Sequence, residues 1–224
     1  MTNNPASLLV VNDLGHMFSN RGREVRVFEK CSFELAPTQF VAVQGASGSG
    51  KTTLLLACGG MLAPSFGEVH FQGNNLFNLP HSQRTKIRAV SIGYLFQTLE
   101  LVPYLDLTSN VKIATGVSSV VANQWLDRLG LGARCQSYPS ELSHGQRQRV
   151  ALARAIAHRP ALVIADEPTG NLDNQNSELV FSVLKEYVQD GGAVLMATHE
   201  AQTATFADCI IDIENLELLK AKAR

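Results

Sequence analysis

The chain has 224 residues, 45% hydrophobic and 17% charged, the balance of a packed globular protein and not of a disordered one. Nineteen basic against twenty acidic residues leave a net charge of −1, so no global field would recruit nucleic acid or an anionic lipid surface, and no nucleic-acid partner is expected. No apolar run approaches the roughly 20 residues needed to cross a bilayer, which leaves any membrane role to a partner.

Met1 to Ser7 is polar, and no signal peptide is expected there. Leu8 to Leu14 reads as a first strand, with Val25 to Phe28 and Cys31 to Leu35 as further short strands. They predict an antiparallel β layer ahead of the core. Phe18 stands beside the polar turn Ser19-Asn20-Arg21-Gly22.

Phe40 to Gln44 is an apolar, β-branched strand, and Leu54 to Cys58 an apolar stretch with no breaker. Between them runs Gly45-Ala46-Ser47-Gly48-Ser49-Gly50-Lys51-Thr52-Thr53. A strand, a glycine loop with the pattern G-x-x-x-x-G-K-[ST] and then a helix make a phosphate-binding P-loop. Glycines let the backbone approach a phosphate and turn successive amides inward. The helix N-terminus adds its free N–H groups, yet contributes only about 0.3–2 kcal/mol to binding an anion. Lys51 is therefore placed to reach the outer phosphates and the Thr52 hydroxyl to ligate Mg²⁺.

Gly59-Gly60 and Pro64 to Gly67 break the chain before a short strand at Glu68 to Phe71 and a turn at Gln72 to Asn75. A short basic helix is expected over Ser82 to Arg88, and a strand over Ile92 to Phe96 that ends at Gln97. From Leu107 to Tyr138 strand signals fade. Val121, Trp125 and Leu129 recur at four-residue spacing in a helix closed by Gly130, with Trp125 a core anchor. Next come a helix from His144 to His158, a strand at Ala161 to Ala165 and a helix from Asn174 to Gln189. The chain then reads as a strand at Ala193 to Ala197, a short helix at Gln202 to Phe206, a strand at Ile210 to Ile213 and a solvated tail from Lys220. Alternating α and β elements with unbroken apolar strands predict an α/β fold with a mostly parallel sheet covered on both faces. One domain spanning 1–224 is expected, with a core of 1–96 and 159–224 and a helical insert over about 97–158. Cys31, Cys58, Cys135 and Cys209 lie far apart and read as buried or spare thiols in a reducing cytoplasm.

Two further stretches bear on chemistry. Leu162 to Ala165 leads into Asp166-Glu167, two carboxylates at the carboxyl end of a parallel strand, where ligands bind in such sheets. Asp166 suits an acid supporting Mg²⁺, and Glu167 a base polarising the attacking water; a surface acidic pair is the plainer reading when they are taken alone. Ser143 and Gln146 fit a capping box, which is a sufficient structural explanation for both. It leaves Gly145 unexplained, since glycine in a helix costs about 1 kcal/mol against alanine. A phosphate approaching that helix end would account for it.

With these motifs the chain resembles, over nearly its whole length, the nucleotide-binding subunit of an ATP-binding cassette (ABC) transporter. The family's motifs occur in family order: the P-loop, the Q-loop glutamine Gln97, the signature Leu142 to Gln146, the acidic strand, the D-loop Asn171-Leu172-Asp173 and the switch histidine His199. Glu167 to Asp173 further resembles the bacterial lipoprotein-release, macrolide-efflux and cell-division ATPases. The resemblance implies a P-loop NTPase fold and an ATPase whose ATP and Mg²⁺ are sandwiched by a head-to-tail homodimer. Lys51, Thr52, Gln97, Asp166, Glu167 and His199 of one chain would meet Ser143 and Gly145 of the other. Phe18 would stack on adenine, Asp173 would couple the two sites, and Gln97 would sense Mg²⁺ and transmit closure to an integral membrane permease. The protein would then be cytoplasmic, held on the inner face of the cell membrane by that permease, serving export, lipoprotein release or mechanotransmission. The rival expectation is a soluble ABC ATPase acting without a membrane partner, for example on nucleic acid or ribosomes. The insert looks short for the family, and His144 stands where the signature usually has glycine.

Overall fold

The computed structural model describes residues 7–20, 23–170, 172–199, 206–215 and 217–220. β1 (Leu9–Asn20) and β2 (Arg23–Leu35) pair antiparallel. β3 (Phe40–Gln44) leads into α1 (Lys51–Cys58), after which β4 (Phe66–Phe71) returns to pair with β1. The short β5 (Asn74–Asn75) completes a four-stranded sheet of order β2-β1-β4-β5. Then follow α2 (His81–Ser91), β6 (Ile92–Leu95), α3 (Leu107–Thr115), α4 (Ser119–Arg128) and α5 (His144–Ile156). β7 (Leu162–Asp166), α6 (Asn174–Gln189), β8 (Ala193–Thr198), β9 (Cys209–Asp212) and β10 (Glu217–Lys220) complete the described chain. The second sheet has the order β10-β9-β3-β8-β7-β6, parallel throughout except where β10 joins β9.

Successive side chains of a strand point to opposite faces, so a strand apolar at every position must be covered on both. β3 shows this directly. Phe40 and Ala42 enter a core with Trp125, Ile156 and Phe181, beneath α3 to α6. Val41 and Val43 enter a second core with Leu54 of α1 and with Leu14 and Phe71 of the antiparallel sheet. Trp125 is buried as expected, with the Arg128 guanidinium 4.6 Å above its ring centroid. Cys31, Cys58 and Cys209 are buried free thiols, and burial pushes Cys31 up to about 12, far from the reactive range.

Four differences from the sequence reading have local causes. The two short strands expected at Val25 to Phe28 and Cys31 to Leu35 are one strand, because Lys30 at φ 57° forms a bulge instead of a break. Leu14 faces Cys31 while His16 faces Phe28, so three steps on β2 match two on β1. Ser19 and Asn20, expected in a turn beside Phe18, instead continue β1 and face Glu24 and Arg23, with Phe18 opposite Val25. Between Leu107 and Tyr138 two α-helices form where one is expected, and α3 is the one missed. Lys220, expected in a solvated tail, is the last residue of β10 and pairs with Cys209. The helix expected at Gln202 to Phe206 lies outside the described residues apart from Phe206, as do Asn171 of the D-loop and Arg21-Gly22.

Candidate nucleotide site

The P-loop leaves the end of β3 and enters α1 through Gly50, whose φ of 97° is left-handed. A side chain there would also meet Val27 Cγ1 at 2.5 Å, so only glycine fits without strain. At Gly45 a Cβ would lie 2.5 Å from Ile213 Cγ2 and 2.7 Å from Ser49 Oγ, so the loop's first residue packs closely on Ile213, just after β9. Ala46, Ser47 and Gly48 are exposed on the outer side of the loop. Lys51 is almost wholly buried and curls back, its Nζ donating to the carbonyls of Gly45 at 2.9 Å and Ala46 at 2.8 Å. Thr53 is half-buried one turn into the helix.

Thr52 and Asp166 meet across the mouth of the sheet. The Thr52 hydroxyl donates to Asp166 Oδ2 at 2.7 Å. Burial pushes the Asp166 carboxyl up; the Thr52 hydrogen bond and Lys51 pull it back, and Glu167 adds to the rise. Glu167 follows with a left-handed backbone, φ 49°. Its Oε2 accepts from Gln97 Nε2 at 3.3 Å and its Oε1 lies 3.3 Å from His199 Nδ1. The ends of β6, β7 and β8 thus bring Gln97, Glu167 and His199 together, three residues far apart in the chain. A paired hydroxyl and carboxylate are oxygen ligands of the kind Mg²⁺ takes, and Gln97 can add an amide oxygen nearby. Among the described residues no cluster of three or more His, Cys, Asp or Glu could hold a metal by itself.

Ser143 caps α5 as expected. Gln146 N donates to Ser143 Oγ at 3.3 Å, and Ser143 N to Gln146 Oε1 at 2.9 Å. Among the described residues no hydrogen bond runs from this cap to the P-loop of the same chain, and Ser143 is exposed. A Cβ at Gly145 would lie 2.8 Å from Leu172 Cδ2, so this glycine also makes room for the D-loop. Asp173 caps α6, its Oδ1 accepting from Asn176 N at 2.9 Å, and the Asn176 hydrogen bonds draw its carboxyl below the usual range. Phe18 is half exposed, edge-on to His16 at 4.6 Å between ring centroids, which leaves a ring face open.

Three residues at the site carry no motif and escape the sequence reading. Glu214 Oε1 accepts from Ala46 N at 2.7 Å, 168 residues away in the chain. Gln148, buried in α5, donates to the carbonyls of Glu167 and Pro168. Arg154, also on α5, donates at 2.6 Å to Leu99 O and at 2.6 Å to Glu100 O, holding the segment after Gln97 against the helix.

Residues 28–170 match the family model described as ABC transporter. The chain belongs to the ABC transporter family. It is an ATPase cassette of that family, with the expected α/β cassette fold. It is 36% identical over 213 residues to the putative hemin import ATP-binding protein HrtA of Staphylococcus epidermidis, covering 92% of this chain and 96% of that one. The macrolide export ATP-binding/permease protein MacB of Hahella chejuensis is 35% identical over 95% of this chain, which spans 34% of that longer protein. Among solved structures, the dimeric cassette MJ0796 in a post-hydrolysis state with ADP and Pi superposes with a TM-score of 0.90 at 28% identity, covering 96% of this chain and 100% of that one.

Proposed function

We propose that two copies of this cassette close head to tail around two ATP molecules and hydrolyse them to drive a separate membrane permease. The observation that carries this reading is the gathering of Gln97 and His199 on the Glu167 carboxylate, beside the Thr52–Asp166 pair. In each site Gly45 to Thr53 would cradle the phosphates with backbone amides, Lys51 would turn from the loop carbonyls to the outer phosphates, and Phe18 would stack on the adenine. Thr52, Asp166 and Gln97 would hold Mg²⁺, which when bound neutralises charge building up on the phosphate oxygens. Glu167 would polarise the attacking water, and His199 would hold the geometry of attack. Ser143, Gly145 and Gln146 would come from the other copy, bringing a second amide-rich helix end to the γ-phosphate. The exposure of Ser143 at the capped end of α5 supports that division of labour. Loss of phosphate would remove what this end binds, so hydrolysis favours opening, with Asp173 coupling the two sites.

The cassette would form one unit over 1–224, with the insert over about 97–158. One of the two apolar cores runs from β3 into α4 and α5, which supports this. A cavity of about 370 Å³ between α2, β6 and α5, bordered by Phe96 and Glu100 just beyond Gln97, supports a permease contact there. Met61, Val90 and Tyr104 are large apolar side chains left exposed. No helix among the described residues is long and apolar enough to cross a membrane, so attachment to the inner face of the cell membrane would come through that partner. Export, lipoprotein release or mechanotransmission is the class of work we assign.

The test is ATPase turnover of Glu167→Gln in the presence of Mg²⁺. Loss of turnover with ATP still bound is the expected result. Undiminished hydrolysis removes Glu167 from the role given to it.

A further inference from the structure

Glu167 sits in a strained place. A non-glycine residue at φ 49° is uncommon and persists only where its surroundings fix it. Its backbone is fixed on three sides. Glu167 N donates to Ala197 O at 3.0 Å on β8, and Gly170 N donates to Glu167 O at 3.1 Å. The third hold is the one side chain in the set. Gln148 Nε2, 3% exposed as a residue, donates to Glu167 O at 3.3 Å and to Pro168 O. Both atoms it faces are carbonyl oxygens, which accept only, so the amide must present its nitrogen there. Gln148 Oε1 is buried with no hydrogen-bond partner among the described residues, a cost accepted for the two bonds on the other side.

The position of Gln148 in the chain adds the second half of the argument. It lies in α5 five residues after Ser143, so it moves with the helix end that would meet the partner's nucleotide. Gly145 of the same helix packs so near Leu172, in the segment that follows the Glu167 turn, that a Cβ there would lie 2.8 Å from Leu172 Cδ2. Helices are stiff over one turn, so a shift of the Ser143 cap is passed through Gln148 to the peptide that aims the Glu167 carboxylate.

We propose that Gln148 is a positioning residue that aims the Glu167 carboxylate and makes its aim depend on the placement of the signature helix. This rests on the reading of Glu167 as the group that polarises water. Occupancy of the signature in one ATP site then bears on catalytic readiness in the other site, where the same chain supplies Glu167. A misplacement near 1 Å at a reacting centre costs about a hundred-fold in rate, so a small relaxation of this turn is enough to be measured.

The experiment uses the full chain, with ATP and Mg²⁺ as the probe. Gln148→Met keeps length and apolar bulk and removes both donors. It should lower kcat by about ten- to a hundred-fold while ATP affinity stays within roughly two-fold. In a Glu167→Gln background the same change should add nothing, because groups acting through one another are not additive. Gln148→Glu is the second variant. Facing two carbonyls in a buried place it can donate only when protonated, so its rate relative to the parent should rise from about pH 8 to about pH 6. The proposal is overturned if Gln148→Met keeps the parent kcat, if it loses ATP affinity as much as turnover, or if it acts at full strength on top of Glu167→Gln. A flat pH ratio for Gln148→Glu also overturns it. Should Glu167→Gln alone hydrolyse ATP like the parent, the underlying reading of Glu167 fails, whatever Gln148 does.

Discussion

The Thr52 hydroxyl donates to Asp166 Oδ2 at 2.7 Å, tying the first turn of α1 to the carboxyl end of β7. The two residues are 114 apart in the chain, and each comes from one of the two stretches most legible in the sequence. Their meeting is what makes a phosphate loop and an acidic strand into one site. The bond also fixes which carboxylate oxygen faces the helix and which is free to take a cation or a water.

This pair sets a prediction in which activity and stability move in opposite directions. Burial raises the Asp166 carboxyl above its ordinary 3.8, so the folded chain favours the protonated form. The sign follows directly: what this group contributes to stability is fully present below 3.8 and is lost as pH rises through the raised value. At neutral pH the parent therefore carries the cost of a buried charge. Asp166→Asn removes that charge and keeps an oxygen for Thr52. It should melt higher than the parent at pH 7, with the gap closing on acidification, and should lose Mg²⁺-dependent hydrolysis by roughly a hundred-fold. Melting curves across pH with parallel ATPase assays decide the matter, and a Tm below the parent at pH 7 would contradict the sign.

Glu214 gives a prediction about binding alone. Its carboxylate takes the Ala46 N–H, and Lys51 holds the carbonyls of Gly45 and Ala46, so that short segment is pinned from both sides. Glu214 is itself set in a turn, its own N–H and that of Asn215 donating to Asp212 Oδ1 at 2.9 and 3.3 Å. Glu214→Ala should weaken ATP binding about three- to ten-fold, the scale of losing one ordinary hydrogen bond in a partly wet site. Turnover of bound ATP should be unchanged. Glu214→Gln keeps an acceptor and should bind close to the parent. Titration of the three proteins with ATP separates these outcomes.

Legibility along the chain followed the range of the interaction. The P-loop, the capping box and the apolar strands of the parallel sheet are local patterns, and the structure places them where the sequence puts them. α3 was hidden because a polar residue occupies its core side. Asn110 is wholly buried, its side-chain amide donating to the carbonyls of Val102, Leu105 and Asp106 while its Oδ1 accepts from Val102 N at 2.7 Å. An asparagine at that position breaks the apolar period that betrays α4. The bulge at Lys30 is similarly invisible, since a left-handed lysine has no compositional mark. β10 is an edge strand defined by its pairing with β9. Gln148, Arg154 and Glu214 act on backbone groups 19, 54 and 168 residues away, a distance that no spacing rule spans.

His144 was the one departure inside the signature, and the structure makes a definite statement about it. It is the first residue of α5, exposed, while the reciprocal cap bonds run between Ser143 and Gln146 on either side of it. The capping box therefore forms without regard to the side chain at this position, and it leaves the His144 and Gly145 amides of the helix end to meet a phosphate. Exposed substitutions away from caps and cores usually stay within about 0.5 kcal/mol, close to a factor of two in an equilibrium. His144→Gly should accordingly leave ATP-driven dimerisation within about two-fold of the parent. The comparison is cleanest in a Glu167→Gln background, where slow hydrolysis lets the closed dimer accumulate, and light scattering against ATP concentration reads the midpoint. A glycine variant that dimerises about ten-fold more tightly means that the imidazole crowds the interface; one that dimerises about ten-fold more weakly means that it donates across it. Either result would make position 144 a working part of the partner's site, where the cap geometry assigns it none.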